Sequence, residues 1–290
     1  MVIRPIEANE YEELRTTWCE VFGDDPIFVD ELYYSMAAQG FVAEDDDKLH
    51  SFLTLFEAGS FRGKPVLVSY GVCTKPESRG KGYARELAYF VKEKVVQTGA
   101  ISMVCPAEPS LISFYSKIGY RPTFYAKDTE ADTEYMDIPL ELQVNMLTAS
   151  EYNRFREAFL LEVPHVTFNE DFVSFVRNDS VNAQGLLLIN DGDAICTLNY
   201  GNDEEIGISE LIVNPALTSV TSEISEQIAG GLARLFEVRK CYFREPGFIV
   251  YTDQSGDYFS DGTYVQAMSC GADVDIDEAA LLPYYGFPID

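Results

Sequence analysis

Residues 70–88 read Tyr70-Gly-Val-Cys-Thr-Lys-Pro-Glu-Ser-Arg79-Gly-Lys-Gly82-Tyr-Ala-Arg-Glu-Leu-Ala88, a strand pattern followed by a basic, glycine-rich turn and a helix pattern. The start of such a helix carries unpaired backbone N–H groups and about half a positive charge from its dipole. Gly80 and Gly82 let a ligand approach the backbone, and Arg79, Lys81 and Arg85 add positive charge. Two glycines alone would indicate only an ordinary connection, but together these features predict a pyrophosphate cradle.

Strand and helix patterns alternate on both sides of this stretch. Strands are predicted at 2–6, 41–43, 49–58, 66–74, 100–105 and from 120, and helices at 8–21, 25–38, 80–97 and 109–117. Such alternation is typical of an α/β domain with helices on both faces of a sheet. Residues 127–140 are acidic and without a clear period, so they are interpreted as an exposed hairpin tip or a linker, with a domain boundary near residue 140.

The rest of the chain repeats the first part faintly. Residues 149–156 match 8–15, residues 196–198 match 53–55 and residues 209–214 match 69–74, at offsets of 141, 143 and 140. Three matches in order at a nearly constant offset favour a duplicated domain. Ser219 and Ser222 stand where the first copy has Arg79 and Gly82, so a second phosphate cradle is not expected.

Composition narrows the partners. The formal charge is −27, from 48 acidic and 21 basic residues, which disfavours nucleic acid and is compatible with a cationic amine as a ligand. Taken alone, the charge favours the simpler interpretation that it keeps the protein soluble. No apolar run is long enough to span a membrane, and the N-terminus does not resemble a signal peptide, so we expect a cytoplasmic protein. Six scattered cysteines and two distant histidines predict no metal site.

Two segments carry a resemblance to a known family. Residues 79–84 fit the R/Q-x-x-G-x-G/A signature of the GNAT superfamily of N-acetyltransferases, and Pro109-Ser-Leu-Ile-Ser-Phe-Tyr-Ser-Lys-Ile-Gly-Tyr-Arg-Pro122 is similar to its second segment. The duplication resembles the tandem, enhanced intracellular survival type without its sterol-carrier domain. The resemblance implies an α/β fold with mixed sheets, in which 1–140 form a catalytic domain that binds acetyl-CoA and 141–290 a degenerate GNAT-like domain.

The resemblance also assigns roles to residues. Val72, Cys73 and Thr74 would present backbone groups to the pantetheine arm, and the amide of Val72 would polarise the thioester. The pyrophosphate would be held by Arg79, Gly80, Lys81, Gly82, Tyr83, Ala84 and Arg85, and Ser110 and Leu111 would lie along the thiol end. Tyr115 would protonate the departing thiolate, unless it is simply an aromatic of the helix's inner face. No histidine neighbours Cys73 or Cys105 in sequence, which argues against a cysteine nucleophile.

The general base is the open part of this prediction. The family often keeps a Glu on the strand before the phosphate loop, and residues 66–74 contain no acidic residue. The survival-type proteins use the terminal carboxylate instead, and the apolar run 283–290 indicates an anchored segment that ends at Asp290. Asp290 is therefore the first candidate and Glu57 the second.

The sequence thus predicts an N-acetyltransferase that moves an acetyl group from acetyl-CoA to a primary amine by direct attack. The alternatives are a non-catalytic acyl-CoA-binding protein and an interaction protein built on two GNAT-like domains. The acceptor has no portable signature, and the oligomeric state stays open, a homo-oligomer included.

Overall fold

The chain forms an α/β protein with mixed sheets, as predicted. The structure, a computed structural model, describes residues 1–134, 142–178, 183–199, 201–217, 221–247, 262–272 and 282–286. The first ten elements are β1 Val2–Pro5, α1 Tyr11–Phe22, α2 Pro26–Ser35, β2 Gln39–Asp45, β3 Lys48–Phe61, β4 Lys64–Thr74, α3 Tyr83–Gln97, β5 Ile101–Val104, α4 Ser110–Ser116 and β6 Arg121–Asp132. They follow the predicted order.

The later elements repeat much of that order. They are β7 Val144–Met146, α5 Ala149–Phe159, β8 Thr167–Phe168, α6 Glu170–Asn178, β9 Ala183–Ile189, β10 Ala194–Asn199, β11 Glu205–Val213, α7 Thr221–Leu235, β12 Lys240–Pro246 and β13 Thr263–Cys270. The three sequence matches fall on equivalent elements: α1 and α5, β3 and β10, and β4 and β11. Among the described residues, no helix is both long and apolar enough to cross a membrane.

The chain divides into two compact units, and each unit is built from two separate segments of the sequence. The first comprises Met1–Thr123 with Ala267–Val274, and the second comprises Phe124–Gln266 with Asp275–Asp290. The assignment of 1–140 as a catalytic domain and 141–290 as a degenerate one stays a prediction.

The sheet of the first unit has the strand order β1-β2-β3-β4-β5. Neighbours are antiparallel except β4 and β5, which are parallel and are connected through α3. Residues 268–270 at the end of β13 add to β5 as an antiparallel strand. Helix α1 buries Leu14 and Trp18, which are one helical turn apart, and the carboxylate of Asp25 caps α2 by accepting a hydrogen bond from the Ile27 amide at 2.8 Å.

The sheet of the second unit has the order β6-β12-β11-β10-β9-β7. Here β11 and β12 form the parallel pair and α7 connects them, which repeats the β4–α3–β5 arrangement. Apolar side chains from these strands and from α7 form one buried cluster, which includes Ile189, Cys196, Leu211, Leu232 and Phe243.

The interpretation of residues 127–140 as a hairpin tip or linker is wrong for 127–132. These residues belong to β6 and pair with β12 from Ala126↔Pro246 to Asp132↔Lys240. Three alternate positions are acidic, and each meets a basic side chain of the neighbouring segment: Asp128 with Arg244, Glu130 with Lys240 and Asp132 with Arg239. A strand can therefore form without an apolar alternation, because the acidic side chains pair with cations across the strands.

Candidate functional site

Strand β4 contains a bulge where the thioester chemistry is predicted. Phe52 pairs with Cys73 and Thr54 pairs with Tyr70, so two residues of β4, Gly71 and Val72, lie opposite a single residue of β3. Gly71 has a left-handed φ of 56°, and a Cβ at this position would overlap the ring of Trp18. Only glycine satisfies both requirements, and the resulting bulge sets the direction in which Val72 presents its backbone.

The end of β4 extends past its parallel neighbour. Within residues 1–134, all of which the structure describes, the β4–β5 pairing ends at Val68 and Met103, while β4 continues to Thr74. The buried hydroxyl of Ser51 donates to the Cys73 carbonyl at 2.8 Å, which holds this end against β3. Residues Val72–Thr74 therefore remain extended after β4 and β5 have stopped pairing.

The segment between β4 and α3 forms the predicted glycine-rich turn. Gly80 and Gly82 have left-handed φ values of 76° and 88°, and a Cβ at Gly80 would have no atom within 4 Å. Gly82 is the N-cap of α3, and no side chain caps the helix there. The first backbone N–H groups of α3 are thus available to an external hydrogen-bond acceptor, and the space beside Gly80 is open.

The basic residues of the turn are exposed. Arg79 donates from Nε to the Thr74 carbonyl at 3.3 Å, and Arg85 pairs with Glu86 at 2.7 Å. Tyr83 and Ala84 form the first turn of α3 and are half-buried. The side chains of Arg79, Lys81 and Arg85 supply the positive charge that the pattern predicted for this turn.

Helix α4 follows β5 and carries the remaining predicted residues. Ser110 is exposed, Leu111 is half-buried and Tyr115 is 6 % exposed. Burial raises the pKa of Tyr115 well above its usual range, and the neighbouring Tyr120 and Cys105 raise it further. A phenol in this environment keeps its proton at neutral pH, which is the state that a general acid requires.

The end of α4 is fixed by a buried lysine of α3. Lys92 donates from Nζ to the Ile118 carbonyl at 2.7 Å, and Gly119, with a φ of 98°, lies beside the same ammonium group. A cation at the C-terminal end of a helix is favourable because that end carries negative partial charge. This contact holds the chain just after the end of α4, the helix that carries Tyr115.

Topology brings these groups to one edge of the first unit's sheet. The strands β4 and β5 are parallel neighbours, so the loop after β4 and the helix after β5 begin at the same edge. The roles of the individual residues stay predictions. Burial raises the pKa of the Cys73 thiol to about 12, which keeps it protonated and argues further against a cysteine nucleophile.

The two candidate bases stand differently. Asp290 lies outside the described residues, although Tyr284 and Tyr285 are buried in the second unit, which agrees with an anchored segment. Glu57 is exposed and pairs with Leu67 on β4. Leu67 is five residues before Val72 on β4, so Glu57 lies beside a point about 16 Å along the strand from Val72, at ~3.3 Å per residue.

Sequence reasoning missed three residues around this site. Gly71 was detectable, because an isolated glycine in a strand pattern indicates a bulge. Trp18 and His50 left no such signal: Trp18 of α1 contacts the bulge, and His50 of β3 contacts the glycine-rich turn between β4 and α3. Both depend on tertiary packing that no local pattern encodes.

Comparisons with known proteins agree with this geometry. Residues 2–123 match the family model described as an acetyltransferase (GNAT) domain. No curated protein has a matching sequence. Similar solved structures include a GCN5-related N-acetyltransferase from Anabaena variabilis, with 15 % identity, 92 % of this chain and 72 % of that chain covered, and a TM-score of 0.67.

Two further solved structures are similar over most of the chain. Eis1 from Mycobacterium abscessus is 13 % identical, with 84 % of this chain and 65 % of that chain covered and a TM-score of 0.52. A tandem GNAT protein from the clavulanic acid biosynthesis pathway is 12 % identical, with 94 % and 99 % covered and a TM-score of 0.57. The resemblance drawn from the sequence is confirmed: residues 2–123 match the model of an acetyltransferase (GNAT) domain, and the chain has the fold of a tandem GNAT protein.

Proposed function

We propose that this protein is an N-acetyltransferase that moves an acetyl group from acetyl-CoA to a primary amine by direct attack. The observation that carries the proposal is the start of α3, where two left-handed glycines lead into a helix that no side chain caps. Open space outside Gly80 and three basic side chains fit a pyrophosphate. The extended end of β4 fits a pantetheine arm, which carries amides able to pair with a strand edge.

The backbone and Tyr115 have separate roles in the proposed reaction. The Val72 amide polarises the thioester carbonyl, which increases its reactivity toward the amine nitrogen. A C–N bond forms as the C–S bond breaks, and Tyr115 gives its proton to the leaving sulfur. Tyr115 is protonated at neutral pH, so its hydroxyl has a proton to donate when the thiolate departs.

The attacking amine must also lose a proton. We retain Asp290 as the proposed acceptor of that proton, with Glu57 as the second candidate. The proton would go to the side chain or to the terminal carboxylate of Asp290, so deleting the last two residues should lower kcat with little change in the affinity for CoA, whereas Glu57→Gln should not. The opposite result would assign the role to Glu57, and two fully active variants would leave it to water.

The proposed acceptor is a small amine, and a cationic one fits best. The net charge of −27 concentrates cations around the molecule and repels polyanions such as nucleic acid. An amine that attacks by itself needs no covalent enzyme intermediate, which agrees with the protonated thiol of Cys73.

The experiment is to incubate the protein with acetyl-CoA and a panel of primary amines and to follow both free thiol and acetylated product. Tyr115→Phe should reduce kcat by about a hundredfold, the lower end of the ~10²–10⁴ range of general acid–base catalysis, and leave the CoA dissociation constant unchanged. CoA binding without turnover of any amine would instead indicate a non-catalytic acyl-CoA-binding protein. Absence of CoA binding would remove the proposal and favour an interaction protein.

A further inference from the structure

His50 contacts the glycine-rich turn between β4 and α3, residues 75–83, on both sides of its two glycines. We call this segment the phosphate turn. It lies on β3, and its ring nitrogen Nδ1 is 2.7 Å from the hydroxyl of Ser78. Its backbone carbonyl accepts a hydrogen bond from the Lys75 amide at 3.0 Å. Its ring stacks on Tyr83, with centroids 4.2 Å apart and planes within 8°. Lys75 and Ser78 precede Arg79–Gly82 and Tyr83 follows it, so one residue holds both ends of the turn.

The hydrogen-bond partners of the His50 ring define which of its nitrogens carries the proton. Nε2 lies 3.2 Å from the Asp45 carbonyl, which can only accept, so this nitrogen carries a proton. In the neutral ring Nδ1 then accepts from the Ser78 hydroxyl, which is 1 % exposed. The Tyr83 hydroxyl donates to the Asp45 carboxylate at 3.2 Å, so the ends of β2 and β3 hold the first residue of α3 as well.

This arrangement matters because the turn between the held ends contains two glycines. Glycine has more accessible backbone conformations than other residues, and a turn that contains two of them loses much entropy when a ligand fixes it. Contacts that fix the flanking residues beforehand reduce that loss on binding. The backbone N–H groups at the start of α3 then have the required orientation before the phosphates arrive.

We propose that His50 is a positioning residue for the phosphate turn, and that it strengthens binding of the CoA pyrophosphate without touching the reacting atoms. The proposal rests on the proposed function, since it takes CoA as the ligand of the turn. The hydrogen bond to Ser78 and the stacking on Tyr83 act at opposite ends of the turn. Loss of either contact should therefore weaken binding in part, and loss of both should weaken it most.

Three substitutions separate these contacts. His50→Asn keeps a polar atom near Ser78 and loses the stacking, His50→Phe keeps the stacking and loses the hydrogen bond, and His50→Ala loses both. We expect His50→Ala to raise the dissociation constant of CoA by about tenfold, with intermediate values for the other two variants. His165→Ala is the matched control: like His50, His165 has one ring nitrogen near a backbone carbonyl, that of Val163 at 2.7 Å, and the other near a side-chain oxygen, that of Glu157 at 3.1 Å, but it lies in the second unit.

A second readout distinguishes positioning from general stability. Acetyl-pantetheine lacks the pyrophosphate, so His50→Ala should lower kcat/KM for acetyl-CoA and leave that for acetyl-pantetheine unchanged. The KM for acetyl-CoA should rise while kcat at saturation and the KM for the amine stay within about twofold. An equal loss with both donors, or a CoA affinity unchanged in all three variants, would overturn the proposal. If the unaltered protein itself fails to bind CoA in calorimetry, the proposed function fails rather than the role of His50.

Discussion

Gly80 and Gly82 fix what the phosphate turn can accept. At each position φ is positive, so any other residue is strained, and a side chain would project into the space that a phosphate needs. We therefore predict that Gly82→Val abolishes CoA binding measured by calorimetry.

Gly99 provides the matched control for this prediction. It has a φ of 85° and, like Gly80, no atom within 4 Å of an added Cβ, but it lies at the other end of α3. Gly99→Val should show the same backbone strain and a similar fall in Tm with unchanged CoA affinity. Equal affinity in both variants would show that the turn does not hold CoA.

At the residue scale, the sequence could predict only those parts of the site whose residues are close together in the chain. The glycines and basic residues of the turn are within seven positions of one another, so their pattern is visible. His50 reaches Ser78 across 28 positions, and only the pairing of β3 with β4 brings it there. An isolated histidine gives no sign of such a contact.

At the scale of elements, the acidic strand β6 should make stability depend on pH. Hydrogen bonds from Lys240 and Tyr242 lower the pKa of Glu130, and those from Arg239 and the Glu134 amide lower the pKa of Asp132, from ordinary values of 4.5 and 3.8. A carboxyl group with a depressed pKa contributes stability above its unfolded-state pKa and loses that contribution as the pH falls through its folded-state value. Acidification below these ordinary values should therefore weaken the β6–β12 pair.

The prediction is that the double variant Glu130→Gln, Asp132→Asn loses less Tm between pH 6 and pH 3 than the unaltered protein does. The double variant has no carboxyl group at these positions to protonate, so the part of the acid-induced fall in Tm that these two groups cause should be missing from it. Glu162→Gln, an exposed substitution outside the strand, controls for the removal of a negative charge. Parallel pH curves for the unaltered protein and the double variant would contradict the prediction.

Helices and strands up to residue 126 were predictable because each has its own apolar period. Residues 127–132 were not, because the partners that make them a strand lie more than a hundred positions away: Lys240 is 110 residues from Glu130. Charge pairing between distant strands leaves no period in the sequence of either one. The acidic alternation of β6 was present, but its meaning depended on β12.

At the scale of the whole molecule, the duplication could be inferred but the division into units could not. Three short matches indicated a repeat, and they fall on equivalent elements. The unit boundaries, however, depend on which strands pair: most of β6 belongs to the second unit through β12, and residues 267–270 belong to the first through β5. Pairing between such distant segments is a property of the folded chain.

The two copies use an equivalent arginine in different ways. Arg15 lies on α1 in surface ion pairs with Glu12 and Asp30, whereas its counterpart Arg156 on α5 is fully buried. Arg156 contacts the buried Glu210 at 3.1 Å and donates to the carbonyls of Val166 and Tyr285 at 2.6 and 2.9 Å. In the second copy the equivalent arginine thus belongs to a buried polar network instead of surface ion pairs.

We predict that Arg156→Met destabilises the protein by about 3–5 kcal/mol, because it leaves the charge of Glu210 buried and unpaired. Arg15→Met should change Tm little, since its partners are exposed to water. The double variant Arg156→Met, Glu210→Leu should recover much of the loss, because no unpaired charge remains. Denaturant unfolding of the four proteins measures these differences, and a mild Arg156→Met effect would refute the role given to the pair.

The duplication raises the question of whether each copy binds CoA. We compare the residues of the cradle in the first copy with those at the equivalent positions of the second. The cradle of the first copy needs two left-handed glycines, three cations and the uncapped start of α3. At the positions of Arg79 and Gly82 the second copy has Ser219 and Ser222, so both the positive charge and the free approach to the backbone are missing from its sequence. We therefore predict that calorimetry with CoA gives one site per chain, and that Gly82→Val removes it completely. The paired variant Ser219→Arg, Ser222→Gly should leave the native site at its original affinity, because it alters only the second copy. Two equal sites in the unaltered protein, or a remaining site in Gly82→Val, would mean that the second copy binds CoA by residues other than those of the signature.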